Sequence, residues 1–334
     1  MPEQMTSRER VLTALKREIP DRVPWVENYV HTGLINQILG RTIRPIPGTR
    51  LGTEIQEKLC LDNISYDFRP PIYADTEKSG DLEQIKRPRL KTWEDLEKLK
   101  KWLPDPLDDG FYANAEELLK QKGDFAALAS LRLGVSNVYN SMGYEEFVFA
   151  LYDRPEFVTA AFEVFGDWCA RVIERVNEMD FDFAWTSEDI AFQNGPMVTL
   201  EQYEKYIFPH MKKMAKKIRF PFVYHSDGDY NALLPYILQY NPAGIANLEP
   251  PVMDIFKLKE TVGSRVCLVG NIDLHYTLTR GSAEETRAEV REKLERVGKG
   301  GGYMIASANG LVSYCIPENV RVMNETILAY GPYR

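Results

Sequence analysis

The chain is poor in cysteine, with four in 334 residues (Cys60, Cys169, Cys267 and Cys315), far apart and without a CxxC pair. That spacing signals neither a disulfide framework nor a thiolate zinc site. No apolar run approaches the ~20 residues a membrane-spanning helix needs. Basic charge is in deficit: 41 Lys and Arg against 49 Asp and Glu give a net charge of −8. A nucleic-acid partner is therefore not expected, because phosphate binding needs a basic face, although an acidic sum leaves room for a local basic patch. There is no short-period repeat, no low-complexity segment and no early Gly-rich phosphate turn of the kind a doubly wound nucleotide-binding sheet carries. The opening MPEQMTSRERVLTALKRE is charged and amphipathic and has no apolar signal core, which predicts a cytoplasmic, soluble protein with no membrane partner.

What is present is a regular alternation. Apolar strand candidates occur at 22–28, 63–68, 124–131, 181–188, 220–227, 243–249, 266–273 and 302–309. Amphipathic stretches at 156–176, 201–218, 255–262 and 283–297 separate several of them. Near-continuous apolar strands bounded by helices suit a parallel sheet covered on its outer face. Eight such units predict an α/β fold, a (β/α)₈ barrel spanning 1–334 as a single domain, preceded by an N-terminal helical extension. The charged, proline-bearing segment 69–110 reads as an insertion after strand two.

A barrel assigns direction, since active sites sit at the C-terminal ends of its strands. Those ends are polar here: Glu27-Asn28, Ser187-Glu188-Asp189, His225-Ser226-Asp227, Glu249, Asn271, Asp273, Ser307 and Asn309. Thr199 and Gln202 form a capping box that starts the helix after strand four. Glu204 then lies about one turn in, on a row with Leu200, Ile207 and Met211 that reads as the inward face. Pro209 is expected to kink or interrupt this helix. Adjacent units therefore bring Asp189, Glu204 and His225 to one side of the mouth. One imidazole and two carboxylates suit zinc with an open fourth position. Glu188 and Asp227 are rival carboxylates, and the sequence leaves open whether Asp189 or Glu188 is the third ligand.

Several segments resemble the uroporphyrinogen decarboxylase superfamily: TSRERVLTALKREIPDRVP, SEDIAFQNGPMVT, HSDGDYNALLP, LEPPVMDIFKLKE, LVGNIDLHYTLTRGS and PENVRVMNETILAYGPY. The resemblance runs over nearly the whole chain and implies a (β/α)₈ barrel. Two departures sort its branches. The arginine-bearing M-R-Q-A-G-R of porphyrinogen decarboxylases is replaced by WVENYVHTG (25–33), so the clamp for an acidic tetrapyrrole is missing from that loop. The H-x-C and later cysteine of the thiol-methylating branch are replaced by H-S-D (225–227) and SANG (307–310). The corrinoid-dependent ether-demethylating methyltransferases carry E-x14-E-x20-H, and Asp189, Glu204 and His225 match that spacing with Asp in first place.

That resemblance implies a zinc-dependent O-demethylase component. It would move a methyl group from an aryl methyl ether to the Co(I) of cobalamin (corrinoid) carried by a partner corrinoid protein. Carboxylate and imidazole ligands leave a harder Lewis acid suited to oxygen. With cobalt as nucleophile, no catalytic side chain beyond the metal centre is required, in keeping with the lack of a G-x-S-x-G elbow. Trp25, Asn28, Tyr29, Trp185, Phe192, Tyr224 and Asn309 are candidates for substrate binding. Two alternatives remain at this level: a metal-free decarboxylase of a small acid, and a non-catalytic binder of methoxylated aromatics.

Overall fold

The computed structural model describes residues 4–79 and 82–333. Its strands are β1 (Thr49–Leu51), β2 (Asn63–Asp67), β3 (Ala74–Ser79), β4 (Leu82–Pro88), β5 (Ala126–Leu131) and β6 (Phe183–Ser187). They continue with β7 (Ala191–Phe192), β8 (Gly195–Pro196), β9 (Phe222–His225), β10 (Gly244–Ala246), β11 (Cys267–Val269) and β12 (Tyr303–Met304). The main sheet runs β1-β2-β5-β6-β9-β10-β11-β12, parallel throughout from β2 onward. The short β1 is added antiparallel to β2.

The sheet closes through the first expected strand, which is reduced to backbone bridges at Trp25. That residue pairs in parallel with Leu61 on one side and with Ile305 on the other. Hydrogen bonds from Val26 N to Ile305 O (3.0 Å) and from Asp62 N to Trp25 O (2.8 Å) seal the seam. Pro24, with no N–H to donate, helps explain why this strand is short. The fold is thus a (β/α)₈ barrel.

Period-two alternation sorts the strand residues. Val26, Ala126, Leu128, Phe183, Trp185, Val223, Ala246, Cys267, Val269, Met304 and Ala306 fill the lumen. Val11, Ala14 and Leu15 of the N-terminal helix Ser7–Leu15 join that same cluster. The helix is therefore a floor plug, not a loose extension. It is pinned by ion pairs from Arg8 to Asp182 and from Arg10 to Asp62, both at 2.6 Å, at the starts of strands β6 and β2. The larger core lies between the strands and the surrounding helices, among them Pro155–Val176. The insertion after strand two is an antiparallel hairpin, β3–β4, followed by the helices Trp93–Trp102 and Asp109–Lys120. No described helix is long and apolar enough to cross a membrane.

Candidate functional site

At the mouth, the phase of β9 places His225 two residues beyond the lumen residue Val223, hence inward, and Tyr224 outward. Next to β9, β6 ends at Ser187, opposite His225, and the chain turns at Glu188-Asp189. The two turns are laced together: Glu188 N donates to His225 O (3.0 Å), and Asp227 N donates to Asp189 Oδ1 (3.1 Å). Gly228 follows with φ +77°, and a Cβ there would stand 2.6 Å from the carbonyl oxygens of Ala191 and Phe192. Only glycine lets the loop pass this close beneath the β7–β8 ribbon.

Asp189, His225 and Asp227 each offer a ligand atom, and these atoms lie within 4.8 Å of one another. His225 Nε2 is 3.6 Å from Asp189 Oδ1 and 3.5 Å from Asp227 Oδ1. These separations are long for hydrogen bonds. They are close to the spacing of about 3.4 Å between ligand atoms bound at about 2.1 Å to a tetrahedral zinc. Burial pulls His225 down to about 4, so near neutral pH its imidazole is uncharged and able to ligate. Burial, with repulsion from Asp189 and Glu249, pushes Asp227 up to about 7. Asn247 Nδ2 and Asn309 Nδ2 donate to Asp227 and fix its carboxylate, the latter at 3.2 and 3.3 Å. The buried atoms at this mouth without a hydrogen-bond partner include His225 Nδ1 and Glu249 Oε2. The donors, one nitrogen and several oxygens, fit a borderline divalent cation such as zinc.

The structure places Glu204, expected among the ligands, apart from the cluster. The capping box of Thr199 and Gln202 forms, but Tyr203–Ile207 then winds as a π-helix before α-helix resumes over Phe208–Ala215, with Pro209 in its first turn. The wider turn shifts the phase, so Tyr203 and Ile207 face inward while Leu200 and Glu204 face solvent. Glu204 Oε2 accepts a hydrogen bond from Tyr236 Oη (3.2 Å), away from the other candidates. Glu188 is also committed elsewhere. Fully buried, it accepts hydrogen bonds from the backbone N–H groups of Leu133, Gly134 (2.9 Å) and Ser136 (2.6 Å), at the start of helix Val135–Met142. These donors suit a carboxylate at a helix start, while burial raises its pKa. Among the described residues, Asp189, His225 and Asp227 are the group brought together.

The aromatic candidates divide similarly. Trp185 lies in the lumen with its ring 5.9 Å from that of His225. Tyr29 sits at the mouth beneath the Arg50 guanidinium, and Asn28 offers its carbonyl to Arg50 Nε (3.3 Å) and Ser65 Oγ (3.0 Å). Phe192 is exposed and edge-on to Tyr144. Tyr224 points away from the lumen, is fully buried and donates to Glu188 O, so it is a core residue. Trp25 is likewise buried, its Nε1 donating to Glu27 Oε1 (3.0 Å).

Three arginines at the mouth are additions to the sequence reading. Arg69 forms a bidentate pair with Asp67, with contacts of 2.6 to 2.9 Å, at the end of β2. Arg50 Nη1 stands 3.6 Å from the same carboxylate. Arg132 follows β5 directly, and its Nη1 is buried without a partner. Arg69 and Arg132 were legible by the same strand-end rule that selected His225, whereas Arg50 sits on β1, which that rule does not cover.

An eight-stranded barrel with its ionisable groups at the C-terminal face belongs to a class that hosts many unrelated chemistries. Within it, residues 78–330 match the model of the uroporphyrinogen decarboxylase (URO-D) family. The chain belongs to that family. Among curated relatives it is 28% identical over 129 residues to the methylated-thiol–coenzyme M methyltransferase of Methanosarcina mazei, covering 38% of this chain and 33% of that protein. It is 37% identical over 79 residues to the uroporphyrinogen decarboxylase of Methylococcus capsulatus, covering 24% and 22%. It is also 24% identical over 127 residues to the methylcobamide:CoM methyltransferase MtaA of Methanosarcina barkeri, covering 38% and 36%. The chain thus spans about a third or less of the length of these relatives. A methyltransferase from Methanosarcina mazei superposes with a TM-score of 0.77 over 98% of this chain and 99% of that one, at 18% identity. This last likeness is one of fold.

Proposed function

We propose that this barrel transfers a methyl group from an aryl methyl ether to the cobalt of a separate corrinoid protein, with zinc held by Asp189, His225 and Asp227. The observation that carries the reading is the donor set. Thiolate is absent from the cluster, and a nitrogen-and-oxygen set suits an oxygen leaving group better than a thiol. The names of two relatives, a thiol methyltransferase and a methylcobamide methyltransferase, support methyl transfer as the reaction class.

When bound, the cation supplies Lewis acidity toward the ether oxygen, which keeps the electron pair of the broken C–O bond. The chain's own residues prepare the place. Asn247 and Asn309 hold the Asp227 carboxylate in one orientation, the Asp227 N–H fixes Asp189, and burial keeps His225 unprotonated. Trp185, in the lumen beside His225, offers an apolar surface for a ring. The methyl acceptor comes with the partner, so this chain needs no nucleophilic side chain.

A metal-free decarboxylase of a small acid is the second reading, favoured by Arg50, Arg69 and Arg132 at the mouth. Metal analysis of the purified protein, paired with turnover of 4-methoxyphenol by reduced corrinoid protein, separates the two. About one zinc per chain and metal-dependent alkylation of cobalt are expected. Carbon dioxide release from an acid by metal-free protein would replace this reading with the second, and binding without turnover would reduce the barrel to a capture protein.

A further inference from the structure

The mouth has a second, oppositely charged wall. Arg50, Arg69 and Arg132 come from β1, the turn after β2 and the turn after β5, and among the described residues Asp67 is the one carboxylate in an ion pair with any of them. Arg132 forms no ion pair among the described residues, and its Nη1 is buried with no hydrogen-bond partner. A cavity of about 250 Å³ opens against this wall, lined by Asp67, Arg69, Pro70, Arg132, Ser136 and Asn137. Burial, with repulsion from Arg69, pulls Arg50 down to about 10 even though Asp67 stands beside it.

An orphaned guanidinium nitrogen is costly in a concave site unless an acceptor completes it. We infer that Arg50, Arg69 and Arg132 form an oxyanion subsite, so that the molecule taken into this mouth carries a carboxylate, sulfonate or phosphate group. Arg69 is held rigid by Asp67, and Arg50 is held by Asn28 and the Tyr29 ring, so both are oriented before any ligand arrives. Arg132 is the guanidinium with hydrogen-bonding capacity to spare. Charge-assisted bonds from a planar fork are the strong, geometry-specific kind. The carboxylate–imidazole cluster does not line this cavity, but Asp189 is close enough to favour the charged form of Arg69. A ligand anchored at one end by the arginines would thus present its other end to Asp189, His225 and Asp227. These arginines lie outside the 25–33 loop, although Arg50 rests on its Asn28 and Tyr29.

The inference rests on the proposed function only in placing the substrate in this mouth, and its test is binding alone, without corrinoid protein. Calorimetric titration of the full chain with 4-methoxybenzoate, 4-methoxybenzenesulfonate, 4-methoxyphenyl phosphate and neutral 4-methoxybenzamide compares the three oxyanions with an uncharged control. At least one oxyanion is expected to bind tenfold or more tighter than the amide, and Arg132→Met to erase that advantage by about tenfold or more. Arg132 forms no ion pair among the described residues, but its charge acts on the buried Glu188, so the melting temperature of the variant is read alongside and separates lost binding from lost folding. Equal binding of amide and oxyanions, or an undiminished preference in Arg132→Met, would overturn the subsite. Turnover of a neutral ether together with equal binding would sink this inference alone and leave methyl transfer standing.

Discussion

At the scale of the residue, His225 and Glu204 make the sharpest contrast. His225 is buried, its Nε2 faces two carboxylates, and its own strand sets its direction. His225→Ala is expected to lose stoichiometric zinc, read by metal analysis after dialysis, and with it demethylation. Glu204 is exposed and bonded to Tyr236, so Glu204→Gln is expected to keep metal content and shift stability by no more than about 0.5 kcal/mol. Zinc loss in the Glu204 variant would return that residue to the ligand set. The spacing in the chain suggested the opposite ranking of Glu204 and Asp227. Counting residues along a helix assumes 3.6 per turn, and one π-turn is enough to rotate a carboxylate from the lumen side to solvent. In β9, by contrast, alternation alone sets the direction of His225, because a strand has no equivalent slack short of a bulge.

At the scale of the element, the eight apolar runs were legible because each is a short hydrophobic stretch ending in polar residues. The first of the eight, 22–28, survives only as bridges around Trp25. Segment 69–110 showed that something was inserted but not that it begins as a hairpin, since β3 and β4 (ADTEKS and LEQIKRP) are charged and lack a clean alternation. The loop after β9 depends on Gly228. Gly228→Ala would need a positive φ and would press a methyl group onto the carbonyls of Ala191 and Phe192. A loss of about 1–3 kcal/mol in urea unfolding is expected. Zinc affinity is expected to weaken as Asp227 shifts. An unchanged variant would mean that the ribbon yields freely.

At the scale of the whole molecule, Glu27 helps to close the barrel. Completely buried where strand one ends, it accepts hydrogen bonds from Trp25 Nε1 and from the N–H (2.8 Å) and hydroxyl (2.7 Å) of Ser307, beyond the last strand. Burial pushes its carboxyl up from 4.5 to about 7 despite those donors. A raised carboxyl favours the fold while protonated, so the contribution is intact below pH 4.5 and is lost as pH climbs through about 7. The loss approaches about 3 kcal/mol in alkaline solution. Glu27→Gln can keep all three contacts without a charge. It is expected to exceed the parent in urea midpoint at pH 8, with the gap closing by pH 5. A gap independent of pH would show that Glu27 stays ionised in the fold.

The helix wedged under the lumen makes this vessel blind at one end. Whatever enters must leave by the opening through which it came. On the methyl-transfer reading, a large corrinoid protein must cover that same opening, so the small reactant has to be seated before the protein arrives. The demethylated product is then released only after the protein departs. Turnover should therefore follow a compulsory order, with excess corrinoid protein inhibiting by sealing the vessel while it is still empty.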